Sequence, residues 1–317
     1  MKHNVKITIV ILVMFLIAQF IGLYVVNSYS SQKVVDGQIV NNTGKIFPYG
    51  MGFQGEEQNI TITESLISLL FSLIIAISLI FILIKIKARF IMRTWFLVVS
   101  AIALGISFTA FLPTIKYAPW IALAFAIPLA VGKIYKKSIV THNLTEILIY
   151  PGIAAVFVPI FGILSIIIIL IIISIYDMWA VWKSKIMQKM AKFQMEEVNF
   201  FGGFLIPYAS KKVKEKIRNL KLKFQDEERL QKEFKKSKIK VHLAMLGGGD
   251  IVFPIITSGV VLKIWGLFPA ILVIVGALLG LMGLLMFSEK KKMYPAMPFI
   301  TAGMFLGMLV SYLFFII

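Results

Sequence analysis

Apolar residues in this chain gather into long runs, and the polar residues collect between them. Nine runs are predicted to be membrane-crossing helices: Ile7–Val26, Ser65–Ile84, Trp95–Leu112, Pro119–Val131, Leu144–Pro159, Gly162–Val181, Val241–Leu262, Leu267–Phe287 and Ala296–Ile316. About 18 apolar residues wound as a helix cross a ~30 Å hydrocarbon core, and a helix satisfies its own backbone there. The fourth run is short, and Pro128, Pro151 and Pro159 interrupt the fourth and fifth. Proline is tolerated in a spanning helix where neighbours meet the freed carbonyl. The expected fold class is therefore an all-α polytopic membrane protein. It divides into a six-helix part over 1–181, a basic loop over 182–240 and a three-helix part over 241–317.

Composition supports the membrane reading, and charge gives it a direction. The 317 residues are 59% hydrophobic, with a mean hydropathy of +0.89 and a net charge of +18. In a soluble protein that charge would suggest nucleic acid. Here 29 of the 33 Lys and Arg residues fall on one side of the predicted spans and 4 on the other. Omitting the long loop, which weighs less in the positive-inside rule, leaves 12 against 4. The pattern predicts a cytoplasmic N-terminus, an outer C-terminus, a multi-pass protein of the cell membrane, and no nucleic-acid partner. The basic start followed by Ile7–Val26 is too long for a signal-peptide core and reads as a retained anchor. With no cysteine, disulfides, thiolate metal sites and a cysteine nucleophile are excluded.

The connecting segments carry weaker signals. The outer loop Asn27–Glu64 holds sequons at Asn41 and Asn59, and the sequon at Asn143 lies on the inner side, where it should stay unmodified. Between Lys183 and Lys240 there are 17 basic and 7 acidic residues. Val213, Ile217, Leu220 and Phe224 fall near one face of a helix there. That helix fits anionic headgroups or a solvated tether equally well. Phe200–Tyr208 is apolar, too short to cross, and broken by Gly202, Gly203 and Pro207. It suits packing against the bundle, an interfacial piece, or an extended edge.

Two acids stand out against this background. Asp177 and Asp250 are two of only four aspartates, and both interrupt hydrophobic spans. A carboxylate at membrane depth costs a few kcal/mol or more and persists only where a polar partner or water meets it. Counted from the flanking lysines, they lie roughly 9 and 15 Å below the inner surface at 1.5 Å per residue. Both belong to the inner half and can face each other between the sixth and seventh spans. Two carboxyls in contact cannot both ionise cheaply, so they share a proton. Such a pair can hold one water, with the ionised acid as base and the protonated acid polarising a carbonyl, and it needs no metal or cofactor. Gly247, Gly248 and Gly249 clear side chains from the approach to Asp250, Tyr176 sets a hydroxyl beside Asp177, and Pro295-Ala296-Met297 opens the ninth span. A buried aspartate can also simply tie two helices together, with glycines serving close packing. Matched depth on consecutive spans shifts the balance toward function.

Tyr176-Asp177, Gly247-Gly248-Gly249-Asp250 and Pro295-Ala296-Met297, in that order on those spans, resemble the motifs of the presenilin and signal peptide peptidase family of intramembrane aspartyl proteases. The archaeal presenilin-like members are the most similar in layout. Met297 stands where the family usually has leucine, a near-isosteric change. The resemblance implies that Asp177 and Asp250 are the catalytic pair. It further implies that Tyr176, Gly247, Gly249, Pro295, Ala296 and Met297 shape the site and receive substrate. Substrates would be single-pass transmembrane proteins or signal peptides held in the bilayer. A substrate helix would unwind and add as a strand beside the site, with Ile239–Leu243 and part of Phe200–Ile206 as candidate edges. No oligomeric state is implied.

The rival reading is a cation or proton transporter, whose intramembrane carboxylates would form a relay or ion site. It leaves the glycine cluster and the Pro-Ala-Met turn unexplained. No H-E-x-x-H occurs, and His3, His142 and His242 lie at or near segment ends, where an interfacial polar role is expected.

Overall fold

The computed structural model describes residues 5–30, 32–35, 38–41, 44–51, 89–136, 138–183, 201–208, 242–288 and 294–315, with isolated positions between 67 and 86. Among the described residues eight helices are long and apolar enough to cross a membrane. They are α1 (Val5–Tyr29), α2 (Arg89–Phe111), α3 (Ala118–Tyr135), α4 (Ile139–Phe157), α5 (Ile163–Met178), α6 (Gly248–Trp265), α7 (Leu267–Phe287) and α8 (Met297–Phe315). The predicted span Ser65–Ile84 and the amphipathic segment in the basic loop lie largely or wholly outside the described residues.

Two antiparallel hairpins join the helices. β1 (Gln32–Val35) pairs with β2 (Gln38–Asn41) after α1, and β3 (Gly203–Tyr208) pairs with β4 (His242–Gly247) just before α6. The second hairpin corrects the expected seventh span. The pattern predicts one helix over Val241–Leu262, but His242–Gly247 is strand, and the helix starts at Gly248. An apolar run of six residues looks the same as strand or helix by pattern alone. Here β3 supplies the ladder that spares β4 from needing helical hydrogen bonds. As a consequence Asp250 lies in the first turn of its helix, not deep within it.

Helix ends follow their local chemistry. α4 begins five residues before its predicted start because the Ser138 side chain caps it, accepting from the Thr141 N–H at 3.3 Å. Pro151 lies within α4 and Pro128 within α3 without ending either. α5 loosens into a π-helical turn over Trp179–Lys183, immediately beyond Asp177. Such turns are over-represented at functional sites. At the other end of the bundle Lys45 Nζ donates to the carbonyls of Thr109 at 3.0 Å and Ala110 at 2.7 Å, and also to Leu112. It thereby caps the C-terminus of α2, where a cation also meets the helix dipole. Partial burial holds its ammonium below the usual lysine range.

The core is shared by both ends of the sequence. Phe15 and Ala18 of α1 are fully buried among α4, α6 and α7. α7 and α8 approach through glycine: a Cβ on Gly276 or Gly303 would run into the backbone of the facing helix. Without a hydrophobic drive between helices in lipid, backbone proximity of this kind supplies much of the packing. Gly303→Val should therefore cost about 1–3 kcal/mol or more through overpacking, read as a lower thermal midpoint in detergent than the wild-type chain; an unchanged midpoint would contradict the close crossing.

Candidate active site

Asp177 sits near the end of α5 and is only 4% exposed. α8 starts beside it, so the first N–H groups of that helix have no intrahelical acceptor. The Met297 N–H donates to Asp177 Oδ2 at 3.1 Å, and the Ala296 N–H is a second backbone donor to the same carboxyl. Pro295, which has no N–H, is buried just before them. The carboxyl thus occupies the N-terminal end of a helix, where the dipole and free donors favour an anion. One turn away Ser174 Oγ donates to Thr301 Oγ1 at 2.9 Å, tying α5 to α8 and fixing the pair's register.

Asp250 is the third residue of α6. Its carboxyl accepts from the backbone N–H of Gly247, and a Cβ on Gly247 would lie 3.1 Å from Oδ2. Glycine at 247 spares the acid that crowding. At Gly248 the obstacle is different: a Cβ would lie 2.8 Å from the Tyr150 hydroxyl. Tyr150 from α4 therefore fills the space that a side chain at 248 would take. Gly249 is exposed. From α1, Gln19 Nε2 donates to the Ile251 carbonyl at 3.1 Å, holding the next residue of the same turn.

α5, α6 and α8 pack on one another, which brings Asp177 and Asp250 within electrostatic range of each other. Asp250 is partly accessible while Asp177 is buried. Tyr176, next to Asp177, is 40% exposed, and its ring lies 6.2 Å from that of Trp179.

The hairpin leads directly into the helix that carries Asp250. Its register sets Gly203 opposite Gly247, Leu205 opposite Met245 and Tyr208 opposite His242, and the Gly248 N–H donates to the Gly202 carbonyl at 3.1 Å. In an antiparallel ladder alternate residues turn their polar groups away from the partner strand. On β3 these outward groups are occupied. Leu205 donates to Asn143 Oδ1 at 2.9 Å and accepts from Asn143 Nδ2 at 2.8 Å, and the Gly203 carbonyl lies 2.8 Å from His142 Nε2. On β4 the outward residue opposite Leu205 is Met245, which is 39% exposed. Because Leu205 spends both of its polar groups on Asn143, its partner Met245 turns its own N–H and C=O away from β3. Of the two edges expected from sequence, the part of Phe200–Ile206 at Gly203 and Leu205 is closed by α4, while Ile239–Leu243 lies mostly outside the described residues and the outward-facing residue of β4 is Met245, just beyond it.

Sequence reasoning missed what α4 brings. His142, expected at an interface, is 8% exposed. Glu146 is 1% exposed and pairs with Lys133 of α3 at 2.7 Å. Glu146 was the one acid inside the predicted fifth span, four residues after His142, and that spacing was the available signal.

Residues 49–317 match the family profile described as signal-peptide peptidase, presenilin aspartyl protease. Two solved structures of a presenilin family intramembrane aspartate protease share the fold. The first, in space group C222, has a TM-score of 0.59 at 18% identity, covering 96% of this chain and 98% of the other. The second, in P2, has a TM-score of 0.57 at 18% identity, covering 96% of each. No curated protein matches the sequence.

The approach of Tyr150 to Gly248 is open to a double-mutant cycle. Gly248→Val should destabilise by about 1–3 kcal/mol through overpacking. In a Tyr150→Ala background the same change should cost clearly less, since neighbours in contact couple; additive losses would show that the two do not touch.

Proposed function

A chain that belongs, as this one does, to the signal-peptide peptidase and presenilin family of aspartyl proteases is an intramembrane aspartyl endopeptidase, and we propose that Asp177 and Asp250 are the acids that perform its chemistry. The observation that carries this reading is the setting of Asp177: a buried carboxyl held by the N-terminal amides of α8 and within the electrostatic reach of Asp250. The pair shares one proton. The ionised carboxyl takes a proton from water as the oxygen attacks the scissile carbonyl, and the protonated carboxyl gives its proton to the carbonyl oxygen. Collapse of the resulting gem-diol breaks the C–N bond, the nitrogen is protonated, and the acid is released with the amine.

Ala296 and Met297 act on the reaction through Asp177, and Pro295 shapes the turn that presents them. Gly247 and Gly249 keep the approach to Asp250 open, and Tyr176 lines the lipid-facing side through which a substrate arrives. Substrates are single-pass transmembrane segments or signal peptides. A helical amide is shielded by its own hydrogen bonds, so the segment unwinds before cleavage. Its extended stretch then adds to the outer edge of β4 at Met245, trading lost helical hydrogen bonds for strand pairing. The nine-span topology, with Ser65–Ile84 as the second span, puts the N-terminus and the basic loop in the cytoplasm and the C-terminus outside a cell membrane. On that topology the pair draws water from the cytoplasmic side.

Purified protein in liposomes with a fluorogenic transmembrane peptide tests the assignment. Asp177→Asn and Asp250→Asn should each lower the rate roughly 10³-fold or more, as losses of a catalytic group do. Undiminished cleavage by either variant would end the reading.

A further inference from the structure

α4 carries neither aspartate, yet it makes the bonds that fix the hairpin. The Asn143 amide takes both polar groups of Leu205, at 2.8 and 2.9 Å, as a neighbouring strand would. One residue earlier His142 Nε2 meets the Gly203 carbonyl at 2.8 Å. Two residues beyond Leu205, Pro207 has no N–H to offer. The side of β3 away from β4 is thus sealed by one helix turn and one proline.

We infer that Asn143 is a positioning residue that selects which bond of the substrate is cut. It stands in for a third strand on β3, leaving the β4 edge as the pairing site, and it anchors the hairpin to α4. β4 runs straight into the turn that carries Asp250, so the height of Met245 relative to the acids depends on that anchor. A paired substrate strand advances about 3.3 Å per residue, and a slip by two residues keeps the same face while moving the chain about 7 Å past the acids. Holding the edge still therefore keeps one peptide bond at the acids. The Tyr150–Gly248 contact braces the other end of the same segment against the same helix. This inference rests on strand addition at Met245, as proposed above.

The test uses the full chain in liposomes with a transmembrane peptide substrate, and mass spectrometry of the products. In Asn143→Ala, about two- to tenfold less cleavage is expected, the scale of a lost hydrogen bond, with an increased share of cuts at neighbouring bonds. If all products fall together with their ratio unchanged, Asn143 merely supports the fold and the inference is overturned. If Asn143→Ala does not accumulate folded, Asn143→Asp is read the same way, since it keeps the acceptor for the Leu205 N–H and loses the donor. Met245→Pro separates this inference from its premise by removing the outward N–H of the open edge. Unchanged rate and cut positions in Met245→Pro would overturn strand addition itself. A change there with an unaltered product ratio in the Asn143 variants would overturn the role of Asn143 alone.

Discussion

A carboxyl group in a bilayer has to be met by the protein, because hydrocarbon offers it no hydrogen bond. In this molecule the backbone supplies that solvation. Asp177 is met by the first amides of α8, and Asp250 by the amide that precedes α6. Both solutions require helices that begin inside the protein, since only a helix start has amides to spare. That explains why Pro295 precedes one start and Gly247 the other. The irregular backbone at both places is tolerated at membrane depth because it is enclosed by other helices.

Enclosure comes from parts of the chain far from either acid. α1 sends Gln19 to the Ile251 carbonyl, α4 sends Tyr150 over Gly248, and Ser174 and Thr301 join the two helices that hold Asp177. The buried Lys133–Glu146 pair at the same end of α4 fits this picture. Breaking a buried pair on one side leaves an uncompensated charge, so such a pair fixes geometry more than it adds stability. The site is a junction of six helices and a hairpin, and no single span contains it.

Much of this was legible because lipid simplifies the code. A run of apolar residues long enough to cross is a helix, and seven of the nine expected spans coincide with helices whose ends shift by only a few residues. The acids were legible because charge in oil is expensive. What the pattern could not carry was long-range pairing. β4 is as apolar as a helix start, and its partner lies on the far side of a long basic loop, so nothing local to Val241–Leu246 distinguishes strand from helix. Asn143 was equally hidden: an asparagine one turn into a helix reads as surface until the strand it bonds is known.

The two hairpin edges show how this fold handles an old hazard. An exposed strand edge invites pairing with any extended chain, and soluble proteins blunt such edges with charge, proline or a covering element. Here β3 is blunted by Asn143, His142 and Pro207, while β4 is left open one turn from Asp250. Leaving both edges open would let a substrate pair where no acid can reach it. Closing both would leave an unwound helix with nothing to replace its lost hydrogen bonds, and the cost of unwinding would fall entirely on the enzyme's binding energy. On the proposed strand addition, an edge open on the side of the acids alone meets both demands, and the role inferred for Asn143 would make a helix with no acid of its own part of how the peptide bond is chosen.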